Sequence, residues 1–322
     1  MKTPCSILAA VLLFPIAITP AGAQNWPVKP LHAIVPVAAG SSTDIIPRIV
    51  FEQLAHRLEQ RLVVENRAGA GGTLGTAFVA KSESDGYTVL ASGALHTIAP
   101  ALYPKLAYHP GRDFAGVIPL GISPNVLVVS PSSRFKTVSD LVTAAIRQPG
   151  TLTFSSVGIG SATHLSAERF RTSAGITAIH VPFRGGAEAM SEVIAGRVDF
   201  FFGPTALVLP SIRDGRLTAL IVNGATRTPA LPDVPTTAEA GFKDAEYPIW
   251  YGLFVPAKTP RHIVDRLHDE TAKALDDPSV RDRLATLFVD RLIMTPREFD
   301  AYIQREIDLN ATLVQAAGIK PN

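Results

Sequence analysis

The sequence predicts an α/β fold built on parallel sheets of the doubly wound kind. Two observations carry this. Short β-rich apolar runs alternate with amphipathic stretches along the chain. The runs are predominantly apolar, which marks strands buried on both faces, as parallel sheets require.

The elements follow in order. Leu31 to Val37 reads as a strand, Ile45 to Arg61 as a helix, Leu62 to Glu65 as a strand, Thr73 to Lys81 as a helix and Tyr87 to Ala91 as a strand. Val117 to Leu120 and Val126 to Ser130 read as two strands around a Gly-Ile-Ser-Pro turn. Val138 to Arg147 is a helix closed by Pro149-Gly150. Strand Thr151 to Ser155, helix Ala162 to Ser173, strand Ile179 to Pro182, helix Ala187 to Ala195 and strand Val198 to Phe202 come next, with Gly175 and Gly196 stopping the two helices. Leu217 to Val222 and Tyr251 to Val255 add strands, and the C-terminal part is helical over 260–275, 278–287 and 296–317. Thr259-Pro260, Asp277-Pro278 and Thr295-Pro296 each put a capping residue before a proline at the first helical position.

The first two dozen residues predict export. Lys2 is a basic start, Ser6 to Ile18 a short apolar run, and Ala21-Gly22-Ala23 a small-residue cleavage site, so residues 1–23 read as a signal peptide. Such a run is too short to span a bilayer. The one cysteine, Cys5, falls inside this segment, which removes disulfides and thiol chemistry from the mature chain. About three hundred residues remain, a two-domain length. Net charge is +2 with no run of lysine or arginine, so no nucleic-acid footprint is expected.

Open parallel sheets bind ligands at the carboxyl ends of their strands, so glycine-rich strand-to-helix junctions are the candidate sites. The first is the loop Pro36 to Asp44. Pro47 belongs in the first turn of the following helix, which fixes its start near Thr43 or Asp44. The N–H groups of Gly40, Ser41, Ser42, Thr43 and Asp44 are then expected to face an anion, with the three hydroxyls as further donors. The second junction runs from Ser155 to His164. Gly158 and Gly160 allow close backbone approach, Ser161 or Thr163 caps the helix, and His164 sits in the first turn, where the helix dipole disfavours its protonation. The third, Val64 to Gly75, departs from a dinucleotide fingerprint at Leu74 and reads as a tight turn. The fourth carries Arg184, placed either to pair with a carboxylate or to face solvent. A nucleophile elbow, a Walker loop, a histidine pair at i, i+4 and a persuasive pair of catalytic carboxylates are all missing, so neither an enzyme nor a metal or other cofactor is expected.

Several ordered motifs resemble the Bug family, the periplasmic substrate-binding subunits of tripartite tricarboxylate transporters, abundant in Bordetella and its relatives. They are Trp26-Pro27, Val63 to Gly72, Asp85 to Leu90, Ser156 to Ser161 with His164-Leu165, Val181 to Gly186, Leu231 to Thr236 with Glu239 to Gly241, and Trp250 to Leu253. The resemblance implies a two-lobed periplasmic binding protein fold, type II-like, with the ligand cleft between lobes. Lobe one would comprise residues 24–124 and 247–322, and lobe two residues 125–246. It implies a ligand carboxylate held by Ala39 to Asp44 and by Gly158, Ile159, Gly160, Ser161, Thr163 and His164. Ser92 to His96 and the Phe202-Gly203-Pro204 turn would wall the cleft. One departure stands out: an aromatic-Ala-Pro-Gly-Gly type loop is usual in the family, and here it is Val37-Ala-Ala-Gly-Ser-Ser-Thr-Asp44. Phe202-Gly203 also lacks an acidic neighbour that many relatives use to recognise an amino group.

The function expected is capture of a small organic carboxylate by a monomer that delivers it to permease subunits. Two other readings stay open at this point. One is an adaptor that signals to a membrane sensor kinase, and the other an exported hydrolase using Ser161 and His164.

Overall fold

A computed structural model describes residues 26–320; the expected leader, with Cys5, lies outside them. The chain opens with β1 (Leu31–Val35), α1 (Ser42–Leu58), β2 (Leu62–Asn66), α2 (Thr73–Ala80), β3 (Thr88–Gly93), α3 (Ala94–Leu102), α4 (Pro110–Asp113) and β4 (Phe114–Ser123). It continues with β5 (Asn125–Val129), α5 (Val138–Arg147), β6 (Leu152–Ser156), α6 (Ala162–Ala174), β7 (Ala178–Pro182), α7 (Gly186–Ile194), β8 (Phe200–Pro204), α8 (Thr205–Arg213) and β9 (Thr218–Asn223). β10 (Ile249–Pro256), α9 (Arg261–Asp276), α10 (Pro278–Thr286) and α11 (Pro296–Ala316) complete it.

The strands form two sheets, ordered β2-β1-β3-β10-β4 and β7-β6-β8-β5-β9. Each holds one strand that runs against the others, and each such strand follows a crossing from the other lobe. Helices cover both faces. In the first lobe α1, α9 and α10 pack one side and α2, α3 and α11 the other; in the second, α5 and α6 oppose α7 and α8.

Val117 to Leu120 and Val126 to Ser130 are not a pair around a turn. They belong to β4 and β5, in different sheets, and Pro124 between them is the point where the chain crosses. Hydropathy marks both as strands but does not say which neighbour each will find. Three helices escape the sequence reading: α3 and α8, which carry the internal prolines Pro100 and Pro210 that read as breakers, and α4, a single four-residue turn too short to show a period. The caps at Asp277 and Thr295 form as expected, the latter as a full capping box with Glu298. Thr259 does not cap: α9 opens on Pro260, and the buried Thr259 hydroxyl has no partner among the described residues.

Register fixes the relation of the lobes. β10 begins where β3 and β4 end, with Tyr251 opposite Gly93 and Ile249 opposite Ser123. β5 likewise begins where β8 and β9 end, with Asn125 opposite Pro204 and Asn223. The carboxyl ends of the parallel strands in both sheets therefore converge on the two crossings. Tyr247, fully enclosed at the second crossing, ties them together. Its N–H donates to Asn223 Oδ1 (2.5 Å), its carbonyl accepts from Asn125 Nδ2 (3.3 Å), and its hydroxyl donates to Asn310 Oδ1 (2.5 Å). Asn310 Nδ2 in turn donates to Thr97 Oγ1 (3.0 Å).

Replacing Asn310 with Ala leaves the Tyr247 hydroxyl buried and unpaired, while the Thr97 hydroxyl keeps its bond to Ala94 O (3.0 Å). The expected cost is about 1–3 kcal/mol for the one orphaned hydroxyl, read as a lowered urea midpoint.

Candidate functional site

Two pentapeptides occupy matching places at the facing ends of the sheets. Gly40-Ser-Ser-Thr-Asp44 follows β1, and Gly160-Ser-Ala-Thr-His164 follows β6. In each the glycine has positive φ, +86° at Gly40 and +72° at Gly160. The serine after it is the helix N-cap in nearly the same extended conformation: φ −76°, ψ 161° at Ser41 and φ −69°, ψ 160° at Ser161. The fifth residue reaches back to the glycine N–H: Gly40 N donates to Asp44 Oδ2 (2.9 Å), and Gly160 N to His164 Nδ1 (3.0 Å).

This geometry corrects the donor inventory. Gly40 N–H and Asp44 N–H are not free, because the first bonds Asp44 and the second bonds Ser41 O (2.9 Å). In lobe one the N–H groups of Ser41, Ser42 and Thr43 have no partner among the described residues; in lobe two the same holds for Ile159, Ala162 and Thr163. α1 opens at Ser42 and α6 at Ala162, so both sets sit at the positive end of a helix. The lobes meet here: a Cβ on Gly160 would stand 2.4 Å from Leu102 Cδ1 of α3.

Asp44 lies beneath the loop and supports it. It is 3% exposed and accepts from Arg48 Nε (2.8 Å) and Asn66 Nδ2 (2.8 Å) besides Gly40. Burial pushes its carboxyl upward, but the hydrogen bonds from Gly40, Asn66 and Arg48 and the Arg48 charge outweigh that and hold it below the usual range. Asn66 Nδ2 also donates to Val37 O (3.1 Å), which fastens the residues ahead of Ala39.

Other expected contacts fall elsewhere. His96 is not a cleft wall: it is enclosed in the lobe-one core against Tyr108, Phe114 and Phe254, and burial, with the nearby His109 charge, lowers its pKa to about 3. Ser92 is enclosed too, its hydroxyl unpartnered among the described residues. Phe202-Gly203-Pro204 is not a turn but the end of β8, and Gly203 is buried, with a Cβ there 2.4 Å from Val208. Pro204 keeps a half-buried place at the crossing end. Arg184 is exposed, and its neighbour Phe183 O lies 3.9 Å from the Cβ position of Gly158, so it borders the lobe-two loop. The glycines of Val64 to Gly75 serve packing, since a Cβ at Gly75 would meet Arg67 O at 2.6 Å.

Ser161 and His164 do not form a nucleophile–base pair. Ser161 Oγ donates to Gly158 O (2.7 Å) and accepts from His164 N (3.3 Å), and His164 Nδ1 is occupied by Gly160. The residues missed in sequence are those that support the loops: Arg48 and Asn66 in lobe one, Ser156, Glu168 and His180 in lobe two. The matched pentapeptides, each followed four residues on by a charged partner, were the available signal.

Two α/β lobes with a helix N-terminus from each aimed at the junction between them define a two-lobed solute-binding protein. The chain belongs to the tripartite tricarboxylate transporter family receptors, whose signature matches residues 46–319. It is 32% identical to Protein BugT of Bordetella pertussis over 303 residues, 94% of this chain and 93% of that one. Among solved structures it resembles MatC from Rhodopseudomonas palustris with bound malate, with TM-score 0.75, 32% identity and coverage of 90% and 100%. It also resembles R. palustris Rpa4515 with adipate, with TM-score 0.78, 30% identity and coverage of 92% and 100%.

An Asp44→Asn variant is expected to lose about 1.5–3 kcal/mol of stability at neutral pH, since a charged acceptor of three donors becomes neutral. The Asp44 pKa is depressed by folding, so its contribution is present above the unfolded value of about 3.9 and fades as pH falls through the folded value. Denaturant curves of variant and wild type should therefore differ fully at pH 7 and converge in acid.

Proposed function

We propose that this protein captures a small organic carboxylate in the periplasm and presents it for uptake, without chemistry on the ligand. The carrying observation is the pair of facing helix N-termini with unpartnered backbone N–H groups at Ser41 to Thr43 and at Ile159, Ala162 and Thr163. Relatives of like fold that hold malate and adipate support the same ligand class. The bodies that close are taken as residues 24–124 with 247–322, and residues 125–246. Arg184, exposed beside the lobe-two loop, is assigned to the ligand's far end. Export by cleavage after Ala23 and delivery to membrane permease subunits complete the proposal.

Magnitudes say how the affinity is divided. A partly buried helix end contributes up to about 2 kcal/mol toward an anion. Two ends reach about 4 kcal/mol, and a micromolar Kd needs about 8. Lobe closure, by excluding water from the charge, supplies the rest.

Proline at the first helical position removes one N–H without breaking a helix, and Ser161 already has the extended backbone that a following proline requires. Ala162→Pro is therefore expected to keep the fold and weaken carboxylate binding about 10–100-fold, one charge-assisted hydrogen bond. A thermal-shift panel including malate and adipate, followed by calorimetry, measures this. A panel without any stabilising acid, or unchanged affinity in Ala162→Pro, would overturn the proposal.

A further inference from the structure

The lobe-two loop contains two glycines in conformations that other residues rarely adopt, Gly158 at φ +122° and Gly160 at φ +72°. Left alone such a loop samples many shapes, and an anion site needs its N–H groups fixed. In lobe one the loop is fixed by Asp44, backed by Arg48 four residues on and by Asn66 from the neighbouring edge strand β2. Lobe two has the same layout in different chemistry. His164 takes the place of Asp44, Glu168 four residues on takes that of Arg48, and His180 comes from the edge strand β7.

The contacts are specific. His180 Nε2 lies 2.6 Å from Ser156 Oγ, and Ser156 Oγ accepts from Gly158 N (3.0 Å). The His180 and His164 rings stack at 3.7 Å, and Phe154 packs against both, 4.9 Å from His180 and 6.0 Å from His164. His164 Nε2 is 3.6 Å from the buried Glu168 Oε1, whose two oxygens accept from Arg171 Nη1 (2.5 and 2.7 Å). With Gly160 N–H on its Nδ1, His164 keeps its proton on Nε2, toward Glu168. The two glycine N–H groups are thus both turned inward onto side chains. The Ile159 N–H between them is left without a partner among the described residues.

We infer that His180 is a positioning residue for ligand capture: through Ser156 and the stacked His164 it holds the Gly158–Ser161 loop with the Ile159, Ala162 and Thr163 N–H groups presented to the ligand. This rests on the carboxylate-binding reading above. His180 touches the loop only through other residues, so its role is separable from contact. His180→Phe keeps the stack and deletes the bond to Ser156, whereas His180→Gln places an amide where Nε2 was and restores it.

The first measurement needs no ligand. Amide hydrogen exchange of the free protein should quicken at least tenfold at Gly158 and Gly160 in His180→Phe and in Ser156→Ala, with rates in the lobe-two core strands unchanged, and should return toward wild type in His180→Gln. The second is calorimetry with malate and with adipate as probes. His180→Phe should weaken binding at least tenfold, His180→Gln less than threefold, and the His180→Phe/Ser156→Ala pair no more than either single variant, since both act through one contact. Unchanged exchange in His180→Phe overturns the inference whatever the probes do. Weakened binding in Ala162→Pro with normal binding in His180→Phe overturns it while leaving the carboxylate site standing. Normal binding in Ala162→Pro strikes the site itself.

Discussion

The architecture depends on how the chain passes between its two sheets at one place. Tyr247 is the knot: its backbone bonds Asn125 and Asn223 at the ends of lobe-two strands, and its hydroxyl bonds Asn310 on a lobe-one helix. Beside it Pro124 is the single residue between a strand of one sheet and a strand of the other. Since β10 and β5 each start at the crossing and run against their neighbours, the carboxyl ends of the parallel strands in both lobes point at the same gap. Any loop that follows such a strand is placed in the cleft as a consequence.

In the proposed function those loops serve as anion receptors by subtraction. A helix start has several orphan N–H groups, and a flexible glycine loop adds more. Gly40 and Gly160 give theirs to Asp44 and His164, and Gly158 gives its own to Ser156. What remains is a short, ordered set of donors at each helix end. Asp44 and His164 are buried whereas Ser41, Ser42, Ile159 and Ala162 keep some exposure, so within these loops stiffness and donation reside largely in different residues.

The two lobes use different chemistry for the same task. Asp44 is a buried carboxylate kept ionised by donors and by Arg48. His164 stands in its place over Glu168, and burial lowers the pKa of His180 beside it to about 4. A neutral imidazole beneath the lobe-two loop puts no full negative charge next to the incoming anion, whereas Asp44 does so but is screened by Arg48 and Asn66.

Local sequence determined most of the elements and the chemistry of their ends. Thr137 with Asp140 closes a capping box where α5 begins, Ser161 caps α6, and the apolar runs mark nearly every strand. These depend on residues within a few positions of each other, so they are legible along the chain. The proline-bearing α3 and α8 were hidden because packing overrode a local penalty. Only the tertiary structure decided that the strands on either side of Pro124 part company, that His96 disappears into an aromatic core, and that Gly40 and Gly160 spend their N–H groups inward. It also brought His180 onto Ser156 and Asn66 onto Asp44, contacts 24 and 22 residues apart. Distance along the chain says nothing of such meetings, because they follow from which strand pairs with which. Sequence thus located the two anion-ready loops, and the fold chose which of their donors are left for a ligand.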